Sequence, residues 1–283
     1  MSVALYDAPG PRARRRVLIG SVFGALLVAA LVALVIQRLE ETGQFRSAFW
    51  EPFTRSGVQR ILLRGLGATL RASAVALVLA IALGLVLAAG RLSERWVVRQ
   101  ASGAVVEFFR ALPLVLLIFF AFLGLPELGI EIGAFGALVI GLTLYNGSVL
   151  AEIFRAGINA VPRGQREAAY SLGLRKGAVT RLILVPQAVR IMLPTIISQL
   201  VVLLKDSALG FIVAYPELLR SGRRIYTNIG NVIPTAIVIA AIYIVINLAL
   251  SALATFLESR QRGVRRRRAV ADVPVEIGVG RLP

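Results

Sequence analysis

Lys205 and Asp206 are adjacent residues of opposite charge within a long apolar stretch of the chain. Counted from Pro194 at about 1.5 Å per helical residue, they lie about 17 Å along a helix, near the middle of a bilayer about 30 Å thick. Ionisable groups at that depth are costly and usually face a cavity. Adjacent residues on a helix diverge by about 100°, so each needs its own partner. A zwitterionic ligand offers both charges, and an ion-pair lock between helices without any ligand is the alternative.

Residues 143–152 carry polar side chains through another apolar run. Tyr145, Ser148 and Glu152 follow i, i+3, i+7 spacing and share one helix face, and Thr143 and Asn146 form a second pair. Polar stripes on a membrane helix face a neighbouring helix or water rather than lipid. These residues therefore either line a path across the membrane or hold helices together.

Pro113 lacks a backbone N–H and is predicted to kink or loosen the third apolar run one turn past Arg110. Such a kink opens backbone carbonyls and suits a role in binding or gating. In the alternative interpretation, Glu107 and Arg110 neutralise each other at i, i+3 spacing near the inner face of the membrane. The complete set of candidate path residues is Arg110, Pro113, Thr143, Tyr145, Asn146, Ser148, Gln199, Lys205, Asp206 and Ser207.

Catalytic chemistry has few candidate residues in this chain. It has no Cys and no His, which excludes disulfides, thiol catalysis, imidazole acid–base chemistry and the usual zinc sites. The GxxxxGK[ST] loop that binds nucleotide phosphates is also missing, and the nearest string, at 173–177, has the wrong spacing. We therefore predict no catalytic residue, no cofactor site and no metal site, and a chain that is not an enzyme.

Composition identifies the class of protein that positions these residues. Apolar residues make up 57% of the chain and the mean hydropathy is +0.79, which is too high for a water-soluble domain. Apolar runs of membrane-spanning length recur near 17–37, 58–90, 100–124, 133–154, 188–214 and 233–257. Continuous Leu, Val and Ala without alternation exclude a β-barrel. The predicted fold class is an all-α membrane protein with about six transmembrane helices.

The distribution of basic residues predicts the orientation of these spans. With the N-terminus inside, cytoplasmic segments hold about 21 of the 32 Lys and Arg residues, and outer segments hold about 7. An even number of spans then places both termini in the cytoplasm. The basic residues at 12–16 are also compatible with a secretory signal, but the run that follows is long for a signal core and residues 37–40 lack a cleavage pattern.

The net charge of +17 is compatible with nucleic-acid binding, and a dense basic tail at 260–268 adds to that charge. Its position favours another interpretation. A basic cluster just past the last span is what membrane retention and anionic headgroups require. We predict anchoring to the lipid bilayer and no nucleic-acid partner.

Residues 152–186 form a polar stretch between two apolar runs, which predicts a helical hairpin outside the membrane and a docking surface for another protein. Pro162 fits the first turn of a short helix with its body at 164–172, and Gly173 is placed to end that helix in a left-handed cap. A second short helix, at roughly 177–184, is predicted to stop before Pro186.

The first helix of this hairpin has features that suit close contact with a partner. Arg163 and Glu167 lie one turn apart and can form an ion pair. Ala168 and Ala169 leave a low surface, which permits close approach.

The same hairpin resembles the EAA loop of ABC importer permeases: Glu167-Ala168-Ala169, three residues, Gly173, nine residues, then Ile183-Leu184-Val185-Pro186. Val185 departs from the Leu that this family has most often there. In the family, this loop is the coupling helix, which sits in a groove of a cytoplasmic ATPase and transmits its closure to the membrane helices. The resemblance implies that the ATPase-coupling residues are Arg163, Gly164, Glu167, Ala168, Ala169 and Gly173.

Four passages narrow the resemblance to the polar amino-acid (His/Gln/Glu-type) branch over roughly residues 58–258. They are FFRALPLVLLIFF at 108–120, YNGSVLAEIFRAGI at 145–158, VPRGQREAAYSLGL at 161–174 and LPTIISQLVVLLKDSALG at 193–210. The opening LYDAPGP, the added first span and VVEFFRALP are similar to actinobacterial glutamate importer permeases.

This resemblance implies a type I ABC importer transmembrane domain, with a five-helix core, an extra N-terminal span and a cytoplasmic coupling-helix loop. The implied domains are a basic cytoplasmic tail at 1–16, the extra span and outer loop at 17–57, the permease core at 58–258 with the coupling loop at 161–186, and a basic cytoplasmic tail at 259–283. The implied location is the bacterial cell membrane.

The resemblance also implies import of a polar amino acid, glutamate in particular, by alternating access. ATP and magnesium are then bound by separate ABC ATPase subunits, and a second, non-identical permease completes the membrane assembly. An extracellular solute-binding lipoprotein delivers the amino acid to the outer loops, where Glu217, Arg220, Arg223 and Arg224 offer polar contacts. The alternatives are a different polar amino acid (glutamine, aspartate or a basic one), an ion-coupled secondary transporter, and a non-transporting scaffold or receptor subunit.

Overall fold

The computed structural model describes residues 10–271, and the regular secondary structure of these residues is entirely helical, which confirms the predicted fold class. The helices are α1 (Pro11–Glu41), α2 (Ser47–Trp50), α3 (Ser56–Arg91), α4 (Trp96–Ala111), α5 (Leu114–Phe119), α6 (Leu125–Glu127), α7 (Ala134–Asn159), α8 (Arg163–Ser171), α9 (Lys176–Ala178), α10 (Val185–Asp206), α11 (Leu218–Ile229) and α12 (Val232–Ala271). Most of the LYDAPGP passage and the end of the predicted basic tail, at 272–283, lie outside the described residues.

Within residues 10–271, five helical segments are long and apolar enough to cross a membrane: Arg12–Glu41, Ser56–Arg91, Ala134–Asn159, Lys176–Phe211 and Val232–Ala252. A sixth crossing results if α4 and the segment Leu114–Glu127, which are bent by 98° relative to each other, form one broken span. The number of spans therefore agrees with the sequence prediction of about six.

The bend in this broken span lies at Leu112 and Pro113. Leu112 has an extended backbone with ψ of 136°, and α5 begins at the residue after Pro113. Proline disfavours helical conformation in the residue before it, because its ring crowds that residue's backbone and Cβ. The kink or loosening predicted at Pro113 is thus a complete break, and the apolar run at 100–124 forms two helical segments.

The core of the molecule is the contact between α3 and α7, the most extensive one between any two helices of the described chain. Small residues at every fourth position of α3 form the contact stripe: Ala72, Ala76, Ala80, Gly84 and Ala88. A Cβ on Gly84 would lie 3.0 Å from the carbonyl oxygen of Gly147 on α7. Small side chains allow membrane helices to approach at backbone distance, where van der Waals packing is strongest.

Three clusters of buried apolar side chains follow one another along α3. They include Leu62 with Ile225 near its start, Ala76 with Leu138 in its middle, and Ala88 with Ala169 near its end. Because α3 has 36 residues, its ends are about 54 Å apart. The α11 segment and the α8 hairpin therefore occupy opposite ends of the molecule.

Helix α1, the predicted extra span, does not take part in this core. None of its described side chains is buried, although its mean hydropathy reaches 2.7 over the best window. An apolar helix that is exposed all round needs lipid or another protein around it.

Candidate functional site

Helix α8, Arg163–Ser171, is the first arm of the hairpin at 161–186. Pro162 precedes it, and Gly173 follows it with φ of +74°. The Gly173 N–H donates to the carbonyl of Tyr170 (2.9 Å), and the Leu174 N–H donates to that of Ala169 (3.3 Å). A left-handed residue after a helix permits these bonds, and glycine adopts it without a Cβ penalty. The helix and its glycine cap agree with the sequence prediction.

The exposed face of α8 contains most of the residues that we predicted to couple to an ATPase. Arg163, Gly164, Glu167 and Ala168 are all exposed to solvent. Arg163 and Glu167 do not form the expected ion pair, which is absent from the salt bridges of the described residues. Both charges therefore remain available to a partner.

Ala169 was predicted to lie on this docking surface, and the structure places it inside instead. It is 4% exposed and packs in the same cluster as Val161, Val179 and Leu184. Residues one apart on a helix point about 100° apart, so Ala168 faces solvent while Ala169 anchors α8 to the second arm. Sequence reasoning missed two apolar contributions to the exposed surface: Leu172 is 81% exposed and Tyr170 is 44% exposed.

The second arm of the hairpin does not stop before Pro186, contrary to prediction. It comprises α9, a π-helical segment Val179–Leu184, and α10, which begins at Val185 and continues through Pro186. Proline is tolerated in the first turn of a helix because its missing N–H has no helical partner there. The arm is therefore mechanically continuous with the long helix that ends at Asp206.

Two ion-pair groups hold the hairpin end of the molecule together. Lys176, at the start of the second arm, pairs with Glu94 in the loop between α3 and α4. The hydrogen bond and positive charge of Lys176 lower the pKa of the Glu94 carboxyl. This pair ties the hairpin to the loop at the end of α3.

Arg91 is the centre of the second group. Its guanidinium lies 3.3 Å from Glu152 on α7 and 3.6 Å from Glu107 on α4, and Glu152 also pairs with Arg155. The predicted neutralisation of Glu107 by Arg110 was wrong, because Arg91 at the end of α3 reaches Glu107 instead. Arg110 is exposed and enters no salt bridge of the described residues. Glu152 is thus part of an ion-pair network rather than a free member of a polar stripe.

Asn146 and Gln199 are brought together by the fold. The Gln199 Nε2 donates to Asn146 Oδ1 at 2.8 Å, and Asn146 Nδ2 donates to the backbone carbonyl of Leu142 at 3.0 Å. Asn146 is fully buried, so this contact joins α7 to α10 within the membrane-spanning part. Thr143 does not join this pair: its Oγ1 is buried without a hydrogen-bond partner.

The other residues predicted to line the transport path differ in exposure and in whether their polar groups have hydrogen-bond partners. Ser148 and Ser207 donate to backbone carbonyls of their own helices, at 2.8 and 2.6 Å, and both are buried. Tyr145 is half-buried. Lys205 is exposed and Asp206 half-buried, and no salt bridge joins them in the described chain. Their divergence agrees with the geometry expected for adjacent helical residues.

Glu217, expected to offer contacts at the outer surface, is instead completely buried. Its carboxylate accepts hydrogen bonds from the backbone N–H groups of Leu219 and Arg220, both at 2.6 Å, and from the Tyr243 hydroxyl at 3.2 Å. Burial raises the pKa of Glu217, and these hydrogen bonds oppose the rise. Glu217 is therefore the N-cap of α11, and its carboxylate is not available at the surface.

Comparison with known proteins places this geometry in a family. Residues 80–263 match the family model described as "Binding-protein-dependent transport system inner membrane component". The chain is 42% identical over 241 residues to the "Glutamate transport system permease protein GluD" of Corynebacterium glutamicum, covering 83% of this chain and 88% of that protein. It is 36% identical over 196 residues to the "Probable glutamine ABC transporter permease protein GlnP" of Bacillus subtilis, covering 68% and 90%.

Solved structures give the same result. An "amino acid ABC transporter with histidines" superposes with a TM-score of 0.69 at 32% identity, covering 71% of this chain and 94% of that one. The inward-facing "MetNI methionine ABC transporter" superposes with a TM-score of 0.57 at 21% identity, which shows the fold alone. By family match and fold alike, the chain belongs to the inner membrane components of binding-protein-dependent transport systems.

Proposed function

We propose that this chain is the permease subunit of an ATP-driven importer of amino acids, and that its cargo is glutamate. The observation that carries the proposal is the hairpin at 161–186, which presents Arg163, Glu167 and Leu172 to solvent and continues directly into α10. A surface of this kind suits a separate motor protein. The chain itself contributes no nucleotide-binding loop.

The assembly consists of ABC ATPase subunits, a second and non-identical permease, and an extracellular solute-binding lipoprotein. ATP and magnesium are bound by the ATPase, and this chain takes no part in hydrolysis. No nucleic acid is involved. The exposed α1 helix lies against lipid or the second permease, which accounts for its lack of contacts within the chain.

The hairpin end of the molecule faces the cytoplasm and the α11 end faces outward. This orientation rests on the surplus of basic residues around the hairpin and past the last span. It places both termini in the cytoplasm of a bacterial cell. The opposite ends of α3 then communicate with the ATPase and with the binding protein.

Alternating access follows from the continuity of the second arm. Closure of the ATPase subunits displaces Lys176 and its neighbours, and α10 carries this displacement to Gln199 and Asp206. Gln199 is bonded to Asn146, so α7 moves with it. Arg110, Pro113, Thr143, Tyr145 and the Lys205–Ser207 segment then line the changing path.

Glutamate is proposed because GluD is similar over 83% of this chain. The glutamine permease GlnP and the "Arginine transport system permease protein ArtQ" of Bacillus subtilis, 33% identical over 67% of the chain, match a shorter part of it. Arg220, Arg223 and Arg224 of α11, which line one cavity with Arg64 of α3, also favour an acidic amino acid over a basic one.

The test is reconstitution of this chain with the ATPase, second permease and binding protein encoded beside it. ATP-dependent uptake of radiolabelled glutamate is measured against unlabelled glutamine, aspartate and arginine. Glu167→Lys should reduce ATPase association and uptake by at least about tenfold, since charge reversal at a docked surface is strongly unfavourable. Glu131→Lys, a change at an exposed acid in the loop before α7, should alter neither ATPase association nor uptake.

Two results contradict the proposal. Uptake driven by an ion gradient without ATPase identifies a secondary transporter. Tolerance of Glu167→Lys, with no ATPase bound to the hairpin in either protein, identifies a scaffold.

A further inference from the structure

A cavity of about 640 Å³ lies between the start of α3 and helix α11, at the end of the molecule away from the hairpin. Four arginines line it: Arg64 from α3, and Arg220, Arg223 and Arg224 from α11, together with Ser221 and Thr227. Residues 220, 223, 224 and 227 follow i, i+3, i+4, i+7 spacing, so they share one face of α11. Arg64 lines the same cavity from α3.

Close packing and hydrogen bonds fix α3 and α11, the two walls of this cavity, relative to each other. Gly65 approaches α11 so closely that a Cβ would lie 2.3 Å from Ser221 Oγ and 3.1 Å from the Leu218 Cα. The Leu218 N–H donates to Thr69 Oγ1 at 3.0 Å, and the Tyr215 hydroxyl donates to the Ala68 carbonyl at 3.0 Å. The arginine side chains therefore project from two helices fixed to each other.

None of these four arginines forms a salt bridge among the described residues, although Arg220 interacts electrostatically with the buried Glu217. The nearest acid in sequence, Glu217, is buried and its oxygens accept bonds from backbone N–H groups and Tyr243. Arg223 lies 5.5 Å from the centre of the Phe211 ring, a contact that leaves the guanidinium N–H groups free. Clefts lined by one sign of charge concentrate the opposite charge from solution.

A fifth guanidinium lies further along the same face of α3. Arg71 follows Arg64 by seven residues, which keeps it on one face about 10 Å deeper into the helix. Ala68, between the two, lines the cavity. Arg71 lies 4.9 Å from the centre of the Phe135 ring, beside the middle cluster of the core. Arg71 is exposed and is the last charged residue before the uncharged run that begins at Ala72, so it adds positive charge at the inner end of the same helix face.

We propose that the four-arginine cavity and Arg71 form an anion-selective vestibule, which admits amino acids with a side-chain carboxylate and disfavours neutral and cationic ones. This inference rests on the proposed import function and its orientation. An acidic amino acid carries two carboxylates, and two guanidiniums on facing walls can each bind one of them through paired N–H groups. The concave shape of the cavity suits a small molecule better than the convex surface of a docking protein.

The absence of cysteine from the chain allows a direct measurement. Thr227→Cys places one thiol in the cavity, and Ser56→Cys places a matched, exposed thiol at the start of α3 outside the cavity lining. The complete complex in proteoliposomes is labelled with two membrane-impermeant methanethiosulfonates, one bearing a sulfonate and one a quaternary ammonium. Labelling of this chain is quantified after its separation from the other subunits. The ratio of the two rates cancels differences in thiolate fraction.

The ratio of the anionic to the cationic labelling rate should be about tenfold higher at Thr227→Cys than at Ser56→Cys. This difference should shrink as the salt concentration is raised. Adding Arg64→Gln or Arg224→Gln should reduce it severalfold, whereas Arg60→Gln, an exposed arginine one turn before Arg64 and outside the cavity lining, should not. Millimolar glutamate should slow labelling at Thr227→Cys more than glutamine does. Arg71→Gln should raise the KM for glutamate uptake without changing the labelling ratio.

Equal ratios at the two thiols, or a ratio unaffected by Arg64→Gln, overturn the vestibule. So does a finding that these arginine variants weaken docking of the binding protein to the same extent with and without amino acid, which identifies a docking surface. Failure of the import proposal looks different: the wild-type complex takes up no amino acid with ATP, whatever the labelling ratio.

Discussion

Gln199 on α10 donates a 2.8 Å hydrogen bond to the fully buried Asn146 on α7, and this contact links the helix that continues from the hairpin to the core of the bundle. Gln199→Leu or Asn146→Leu leaves the other amide without its partner. Each should lower stability by about 1 kcal/mol, the scale of interhelical hydrogen bonds in membranes. The double variant should lose less than the sum, because the second change removes no further bond. Apparent melting temperatures by circular dichroism in detergent check this, and strictly additive losses contradict it.

Gly141 on α7 has no room for a side chain. A Cβ there would lie 2.5 Å from Cγ1 of Ile118 on α5, and 3.0 and 3.1 Å from that residue's backbone N and Cα. Gly141→Ala should therefore destabilise the protein by about 1–3 kcal/mol, since backbone atoms cannot move aside without disturbing the core. Gly67→Ala is the matched control on α3, with no atom within 4 Å of its Cβ, and should be neutral or slightly stabilising. Equal melting temperatures for the two variants contradict the prediction.

Gly173 has φ of +74°, a left-handed conformation in which a β-branched residue is strained. Gly173→Val should loosen the end of α8 by about 1–2 kcal/mol, and Gly173→Asn by less, because asparagine tolerates this region. Faster hydrogen–deuterium exchange at the amides of 172–174 measures the effect. Gly164→Ala, in the same helix with open space at its Cβ, should leave exchange unchanged. The same exchange rates in all three variants are inconsistent with strain at Gly173.

Glu217 should make stability depend on pH. Burial raises its pKa above the ordinary 4.5, so the folded state holds the proton more tightly than the unfolded state does. Stability therefore falls as pH rises from the ordinary value through the raised one, and is constant above it. The difference in melting temperature between wild type and Glu217→Gln should decrease as pH rises above the ordinary carboxyl value, and it should level off once Glu217 is ionised in the folded state. A difference that stays flat or rises with pH contradicts this explanation.

Local chemistry explains which predictions agree with the structure. The break at Pro113 and the cap at Gly173 depend on the backbone of a few consecutive residues, and both are found where the sequence places them. The prediction that the second arm ends before Pro186 was wrong, since proline is compatible with the first turn of a new helix. The sequence has no signal that distinguishes these two environments for a proline.

Contacts between residues that are distant along the chain could not be predicted from local sequence patterns. Glu107 pairs with Arg91 rather than with Arg110, because α3 and α4 bring together residues that are distant along the chain. Arg64 and Arg71 were not predicted as functional residues, because both lie within the apolar run at 58–90. Their spacing of seven residues on one helix face was the signal that could have identified them.

What the sequence by itself determined is the membrane class, the all-helical fold, the approximate number of spans and the position of the hairpin at 161–186. These follow from apolar run length and from the backbone demands of proline and glycine, which act within one helix or turn. Only the tertiary structure decided that Ala169 faces inward, that Asn146 contacts Gln199, and that Arg64 and Arg224 line one cavity. The physical reason is that burial and charge environment are set by which helices pack together, and that choice depends on contacts spread over the whole chain.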